Sequence, residues 1–98
     1  MLKNFDKNQN YFKFYKRKNI PIVFIHGVGL DHEMWLPQVK SFKNNSILVY
    51  DLLGHGKTPL IKKDVKFEDF SNQLNNLLNN LNIDKINLVG FSFGSLIA

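Results

Sequence analysis

The chain has 98 residues, a net charge of +5 and 44% hydrophobic residues. That suffices for one small domain with a core and excludes a compositionally disordered chain. There is no cysteine, so no disulfide framework or thiolate metal site can form, and a reducing, cytoplasmic setting fits.

Residues 1–10 read as a polar, irregular lead, and Met1-Leu-Lys-Asn-Phe5 lacks the apolar core of a signal peptide. Tyr11-Phe-Lys-Phe-Tyr15 alternates weakly and is aromatic, which predicts a strand. The basic excess lies here (Lys3, Lys7, Lys13, Lys16, Arg17, Lys18), interleaved with Asn, Phe and Tyr. With no recognition motif beside it, it reads as a solvated surface, and no nucleic acid or membrane partner is expected. Ile20-Pro-Ile-Val-Phe-Ile25 is a near-continuous apolar run, as in a strand covered on both faces, and it ends in His26-Gly27-Val28-Gly29. Asp31 can cap a helix running through about Phe42, with Met34, Trp35, Val39 and Phe42 as its apolar stripe and Pro37 near its first turn. Ser46-Ile-Leu-Val-Tyr50 is a second buried strand, followed by Asp51-Leu-Leu-Gly-His-Gly56 and a loop over 57–66. Phe67, Phe70, Leu74, Leu77, Leu78 and Leu81 keep helical spacing, with Glu68 and Asp69 in the first turn. The opposite face is mostly asparagine, so packing rather than propensity must hold this helix. Asn82-Ile-Asp84 turns the chain into a last strand. Apolar runs reach only about seven residues, too short to span a bilayer. Strands alternating with helices predict an α/β fold with a mostly parallel sheet, and every chemical-looking residue falls at the carboxyl end of a strand.

The last strand runs into Gly90-Phe91-Ser92-Phe93-Gly94, and a small, apolar stretch follows it as a helix would. This is the G-x-S-x-G pattern in strand–turn–helix context. A turn that lifts a serine hydroxyl above the sheet edge must be very tight. Side chains two before and two after the serine would collide, so glycine is required at Gly90 and Gly94. The helix start also offers N–H groups to a developing oxyanion. By chance the pattern arises in roughly 3% of chains of this length at average usage, so the motif needs support from the rest of the chain.

That support comes from three motifs in order: His26-Gly27-Val28-Gly29 with Trp35 nine residues after His26, Asp51-x-x-Gly54-His55-Gly56, and Gly90-x-Ser92-x-Gly94. Together they make residues 11–98 similar to the N-terminal part of an α/β-hydrolase-fold protein, of the group that holds small-molecule esterases, lactonases, C–C bond hydrolases and cofactor-free haloperoxidases. The resemblance implies a partial α/β-hydrolase fold after a polar lead at 1–10. It implies Ser92 as nucleophile, the N–H groups of Val28 and Phe93 as oxyanion hole, and His26 with Gly27 bracing the oxyanion loop. It implies a small-molecule substrate and no cofactor, and no metal is expected because no His/Asp/Glu cluster has metal-ligand spacing. Ser95 stands where the family often has a second glycine. A triad of Asp51, His55 and Ser92 is excluded because the strand before Asp51 would lie two strand spacings, about 10 Å, from the elbow strand. Asp51, Gly54, His55 and Gly56 then shape a loop near the pocket, and His32 is expected at the surface. Gly56-Lys57-Thr58 fails as a phosphate loop, since the earlier glycine is Asp51 and Pro59 replaces the helix. Gly27-x-Gly29 fails as a dinucleotide turn, since its third glycine is His32.

The family's triad runs serine, then acid, then histidine. Only six residues follow Ser92 here, and none is acidic or histidine. One reading is therefore the front part of a serine hydrolase that acts by acyl-enzyme chemistry once an acid and a histidine complete it, with a complementing C-terminal fragment as partner. The other is a noncatalytic truncated remnant or interaction module. The elbow strand would normally have a neighbour on its far side, and in this chain alone that edge would be bare and apolar.

Overall fold

The computed structural model describes residues 2–60 and 62–98, with side chains from residue 5 onward. Met1 of the expected lead and Ile61 of the expected 57–66 loop lie outside the described residues. Among the described residues five strands form one sheet: β1 (Leu2–Phe5), β2 (Tyr11–Tyr15), β3 (Ile22–Ile25), β4 (Ile47–Tyr50) and β5 (Asn87–Gly90), in the order β1-β2-β4-β3-β5. β4, β3 and β5 run parallel to one another, and the β1–β2 hairpin joins β4 antiparallel. Three α-helices among the described residues flank the sheet: α1 (Leu36–Ser41), α2 (Phe67–Asn80) and α3 (Phe93–Ile97).

The central strands read as unbroken apolar runs because both of their faces are covered. Val23, Ile25, Leu48 and Tyr50 point to one side, where Leu74 and Leu77 of α2 join them with Phe12, Phe14 and Leu52. Phe24, Ile47 and Val49 point to the other, where Trp35 lies over Phe24 with ring centroids 4.8 Å apart. The alternation is the period-2 pleat of a strand sorted into two cores.

Local chemistry sets the ends of the helices. Asp31 accepts from the Glu33 N–H at 2.8 Å and starts a single 3-10 turn, His32–Trp35, before α1. The expected helix from Asp31 to about Phe42 is thus split in two, with Pro37 tolerated in the first turn of α1. α2 opens on Asp69, whose carboxylate accepts the Lys66 N–H at 2.8 Å. It closes with Asn82 at φ 58° and the Ile83 N–H on the Leu78 carbonyl at 2.9 Å. That is a left-handed cap, a conformation asparagine tolerates better than most residues.

The irregular lead expected at residues 1–10 is corrected: Leu2–Phe5 pairs with β2 in register Leu2↔Phe14 to Phe5↔Tyr11. Its turn is built by Asp6, which accepts the N–H groups of Asn8 and Asn10, each at 2.9 Å. Asn80 of α2 ties the same carboxylate down at 2.8 Å. The polarity reads as irregular backbone, but Asp and Asn here are turn residues that close a hairpin. Among the described residues no helix is long and apolar enough to cross a membrane.

Leu77 is fully buried between α2 and the sheet, whereas Leu96 of α3 is 67% exposed. Urea unfolding of Leu77→Ala is expected to show a loss of about 2–5 kcal/mol. Leu96→Ala should stay within about 0.5 kcal/mol of the parent.

Candidate active site

β5 ends at Gly90 and α3 begins at Phe93, so the chain turns from strand to helix across Phe91 and Ser92. Ser92 takes up the bend with φ 54° and ψ −117°, a conformation that costs an L-residue roughly 1–3 kcal/mol. Ser92 is solvent-exposed. A Cβ on Gly90 would stand 2.5 Å from the Gly94 carbonyl and the Ser95 nitrogen. A Cβ on Gly94 would run into the carbonyl oxygens of Ile25 and His26. Both glycines are therefore required by crowding. Ser95, which stands at the position of a glycine in the resemblance, donates its hydroxyl to the Ser92 carbonyl at 2.5 Å and fastens the first turn of α3.

The turn after β3 lies against this corner. The Phe91 N–H reaches the Ile25 carbonyl at 3.0 Å. A Cβ placed on Gly27 would come 3.2 Å from the Phe91 ring and 3.5 Å from Ser92 Cβ. The Leu30 N–H closes the turn on the Gly27 carbonyl at 3.1 Å, with Gly29 at φ +83°. The hydrogen bonds among the described residues engage the N–H groups of Leu30, Phe91, Gly94 and Ser95 and give those of Val28 and Phe93 no acceptor. The turn that carries Val28 and the residue after Ser92 thus meet at one corner, with Gly27 packed on the serine.

His26 is fully buried and joins this turn to the loop after β4. Its Nε2 accepts the Leu52 N–H at 2.9 Å. Because Nε2 is the acceptor, Nδ1 carries the proton and donates it to the Gly27 carbonyl at 2.7 Å. Burial pushes the His26 pKa below its ordinary value, which keeps the ring neutral in this bridge. With both nitrogens engaged, His26 braces the loop and has no free atom for proton transfer.

His32, expected at the surface, is buried: the structure corrects that reading. Its Nδ1 and its backbone N–H both bond Asp51 Oδ1, at 2.7 and 2.8 Å. The Lys57 N–H holds Oδ2 at 2.9 Å. Burial alone would raise the Asp51 pKa, but these donors outweigh it and hold the carboxyl below the usual range. Gly56 is at φ +49° and so close to Asp51 that a Cβ would strike the carboxylate. Sequence reasoning passed over Gln73, which is buried on α2. It accepts the Leu53 N–H at 3.1 Å and donates to the Asp51 carbonyl at 2.9 Å and to Asn10 at 3.1 Å. The available signal was a polar residue one position before Leu74 on the buried stripe.

The constellation of Asp51, His55 and Ser92 is not assembled. Asp51 is bound to His32, and His55 Nδ1 lies 3.0 Å from the Leu53 carbonyl with its ring 5.2 Å from that of His26. β3 separates β4 from β5. No metal-ligand spacing is visible in the sequence, yet the fold brings ligand-type atoms of Asp31, His32 and Asp51 within 4.8 Å of one another. The β3–β4 pairing causes this, and the group's oxygens accept the backbone donors just described.

Two measurements test this geometry. Gly90→Ala is expected to destabilise by more than about 2 kcal/mol through overpacking. Gly29→Ala, where a Cβ meets nothing within 4 Å, should cost about 1 kcal/mol for its positive φ. Equal losses in thermal unfolding would contradict the crowded corner. The second is a pH series. The unfolded state takes up a proton at His26 near pH 6.5 while the folded state resists it. Stability therefore falls as pH drops below about 6.5, until the lower folded pKa is reached. His26→Gln should flatten that part of the stability–pH curve.

The matching family model, described as alpha/beta hydrolase fold, covers residues 20–98. Over 91 residues the chain is 35% identical to an (E)-2-((N-methylformamido)methylene)succinate hydrolase of Acinetobacter baylyi, covering 92% of this chain and 35% of that protein. It is 36% identical over 83 residues to 3-oxoadipate enol-lactonase 1 of the same organism, covering 83% and 31%. The crystal structure of the enol-lactonase from Burkholderia xenovorans superposes with a TM-score of 0.82 at 28% identity, over 90% of this chain and 35% of that one. The chain thus spans about a third of the length of these relatives. With the sheet order, the crowded elbow and a family match over most of its length, the chain belongs to the α/β-hydrolase fold family.

Proposed function

We propose that these residues supply the nucleophile and the oxyanion hole of a serine hydrolase for small carbonyl substrates, esters or lactones. The observation that carries this is Ser92, exposed on a strained corner with the Gly27–Val28 turn packed beside it. Ser92 Oγ attacks the substrate carbonyl. The N–H groups of Val28 and Phe93 receive the negative charge that develops on its oxygen. A histidine from residues outside this sequence takes the serine proton and returns it to the leaving oxygen, and water then frees the acyl group. The relative named as an enol-lactonase supports the lactone class, and the one named as an (E)-2-((N-methylformamido)methylene)succinate hydrolase supports a small carbonyl substrate more broadly. The apolar side chains of Val28, Leu30 and Phe91, all exposed by the corner, would meet the substrate.

A noncatalytic interaction module is the competing reading, and the exposure of Leu88, Val89, Phe91 and Leu96 favours it. The two separate when the 98-residue chain is co-expressed with the C-terminal two thirds of the 3-oxoadipate enol-lactonase relative. Hydrolysis of p-nitrophenyl acetate and fluorophosphonate labelling, located by mass spectrometry, are the readouts. The serine-hydrolase reading expects labelling at Ser92 and hydrolysis at least about tenfold above the Ser92→Ala control, well within what a completed triad supplies. Labelling elsewhere, or none beyond that of Ser92→Ala, would sink it. The isolated chain should label slowly, since an unactivated serine is a weak nucleophile.

A further inference from the structure

A cavity of about 360 Å³ opens on the α1 face of the sheet, lined by Tyr15, Arg17, Val39, Lys40, Lys43, Asn45 and Ile47. Its floor is Tyr15, Val39 and Ile47, and its rim carries three cations and no acid. A second hollow of about 250 Å³ shares Tyr15 and Val39 and is lined also by Lys13, His32, Glu33, Leu36 and Val49. We propose that this groove is a binding site for a single-chain carboxylate amphiphile, with the acyl chain on Tyr15, Val39 and Ile47 and the carboxylate among Arg17, Lys40 and Lys43.

Charge complementarity carries the choice of ligand. Among the described residues none of Arg17, Lys40 and Lys43 forms a salt bridge. The Arg17 guanidinium is nonetheless held in place, with Nε on the Lys43 carbonyl at 3.3 Å and Nη1 on the Lys16 carbonyl at 3.0 Å. A fixed, unneutralised guanidinium beside two lysines invites an anion. An apolar floor under that cluster is of no use to a bare phosphate or sulfate, and it suits an alkyl chain. The volume lies in the range of small-molecule pockets. Burial raises the Tyr15 pKa, with Tyr11 adding to it, so its phenol stays protonated and can donate at the same site.

The site is separate from the candidate active site. Tyr15 and Ile47 are paired at the end of the sheet opposite the Ser92 corner. β2 and β4 lie on the far side of β3 from β5, so strands added beyond β5 would not pair beside the groove. The proposal therefore does not depend on the serine-hydrolase reading.

Trp35, the one tryptophan, packs in the cluster formed by Ile47, Val49, Tyr15 and Val39, and its emission reports on the groove. The purified 98-residue chain is titrated with decanoate, decanol and acetate, all below micelle formation. Saturable 1:1 binding of decanoate is expected, with decanol and acetate each at least about tenfold weaker, because one lacks the charge and the other the chain. Lys40→Gln/Lys43→Gln should weaken decanoate by about tenfold and leave decanol unchanged, and 1 M salt should do the same. Arg17→Gln gives an independent check should the double variant fold poorly. Equal binding of decanol and decanoate, or no effect of the charge variants, would overturn the proposal. So would binding seen only with phosphatidylglycerol vesicles and not with monomeric decanoate, which would assign the cations to a membrane surface.

Discussion

Two backbones meet without side chains between them where the first turn of α3 passes the end of β3. Gly94 faces the carbonyl oxygens of Ile25 and His26, and Gly90 faces Gly94. The contact follows from register. β3 and β5 are parallel, and Ile25 is paired with Gly90, so both strands stop at the same level. Whatever follows the two strands must then share one corner. The Gly27–Val28 turn and the Ser92 elbow are neighbours for this reason, although they are about 65 positions apart in the chain. In a right-handed α/β sheet that corner lies at the carboxyl ends of the strands, where loops can be elaborated without disturbing the core.

A strained serine persists only if its surroundings over-determine it. Gly27 packs on Ser92 and the Ser95 hydroxyl bonds the Ser92 carbonyl, while the loops after β3 and β4 are tied by a set of buried polar groups in which most bonds run from side chain to backbone. His26 links the turn after β3 to Leu52, Asp51 gathers donors from residues 32 and 57, and Gln73 joins the same loop to α2 and to Asn10. Thr58 extends the set by accepting the Tyr11 N–H at 2.9 Å. Buried polar groups are costly when unpaired and position-specific when paired. The loops after β3 and β4 are therefore held at a defined height above the sheet by hydrogen bonds, while α2 and the apolar core hold the sheet itself. The two jobs fall to different residues, which is why the site can be rigid on irregular backbone.

Much of this was legible in the sequence, and the division is physical. Motifs whose spacing encodes sterics could be read directly: Gly90 and Gly94 flank Ser92 because the corner forbids a Cβ, and Phe67 to Leu81 keep helical period because one face is buried. Runs such as Ile22–Ile25 announced their coverage by lacking polar positions. Contacts that depend on tertiary pairing were invisible. His32 looks like a surface residue in a loop, and only the β3–β4 pairing carries it to Asp51, nineteen positions on. Gln73 looks like one more polar residue on an asparagine-rich helix. The lead reads as irregular from its polarity, although Asp6, Asn8 and Asn10 are spaced to close a hairpin.

The two edges of the sheet differ in a way that bears on the chemistry. β1 closes one edge with a short, lysine-bearing strand, which resists further pairing. At the other edge, Asn87, Leu88 and Val89 of β5 are exposed on both faces, and the strand carries no charge, proline or bulge. Parallel strands are stable when covered on both sides, so β5 is the one member of the parallel set whose packing is unfinished. It is also the strand that launches Ser92. A structure that pairs with β5 would stiffen the elbow from below and would bring its own strand ends to the same corner, within reach of the serine. Covering the apolar edge and supplying a proton acceptor are then two consequences of a single docking event. In that case foldedness and reactivity at this site rise together, and a partner that merely shields Leu88 and Val89 without carrying a histidine would stabilise the chain while leaving Ser92 inert.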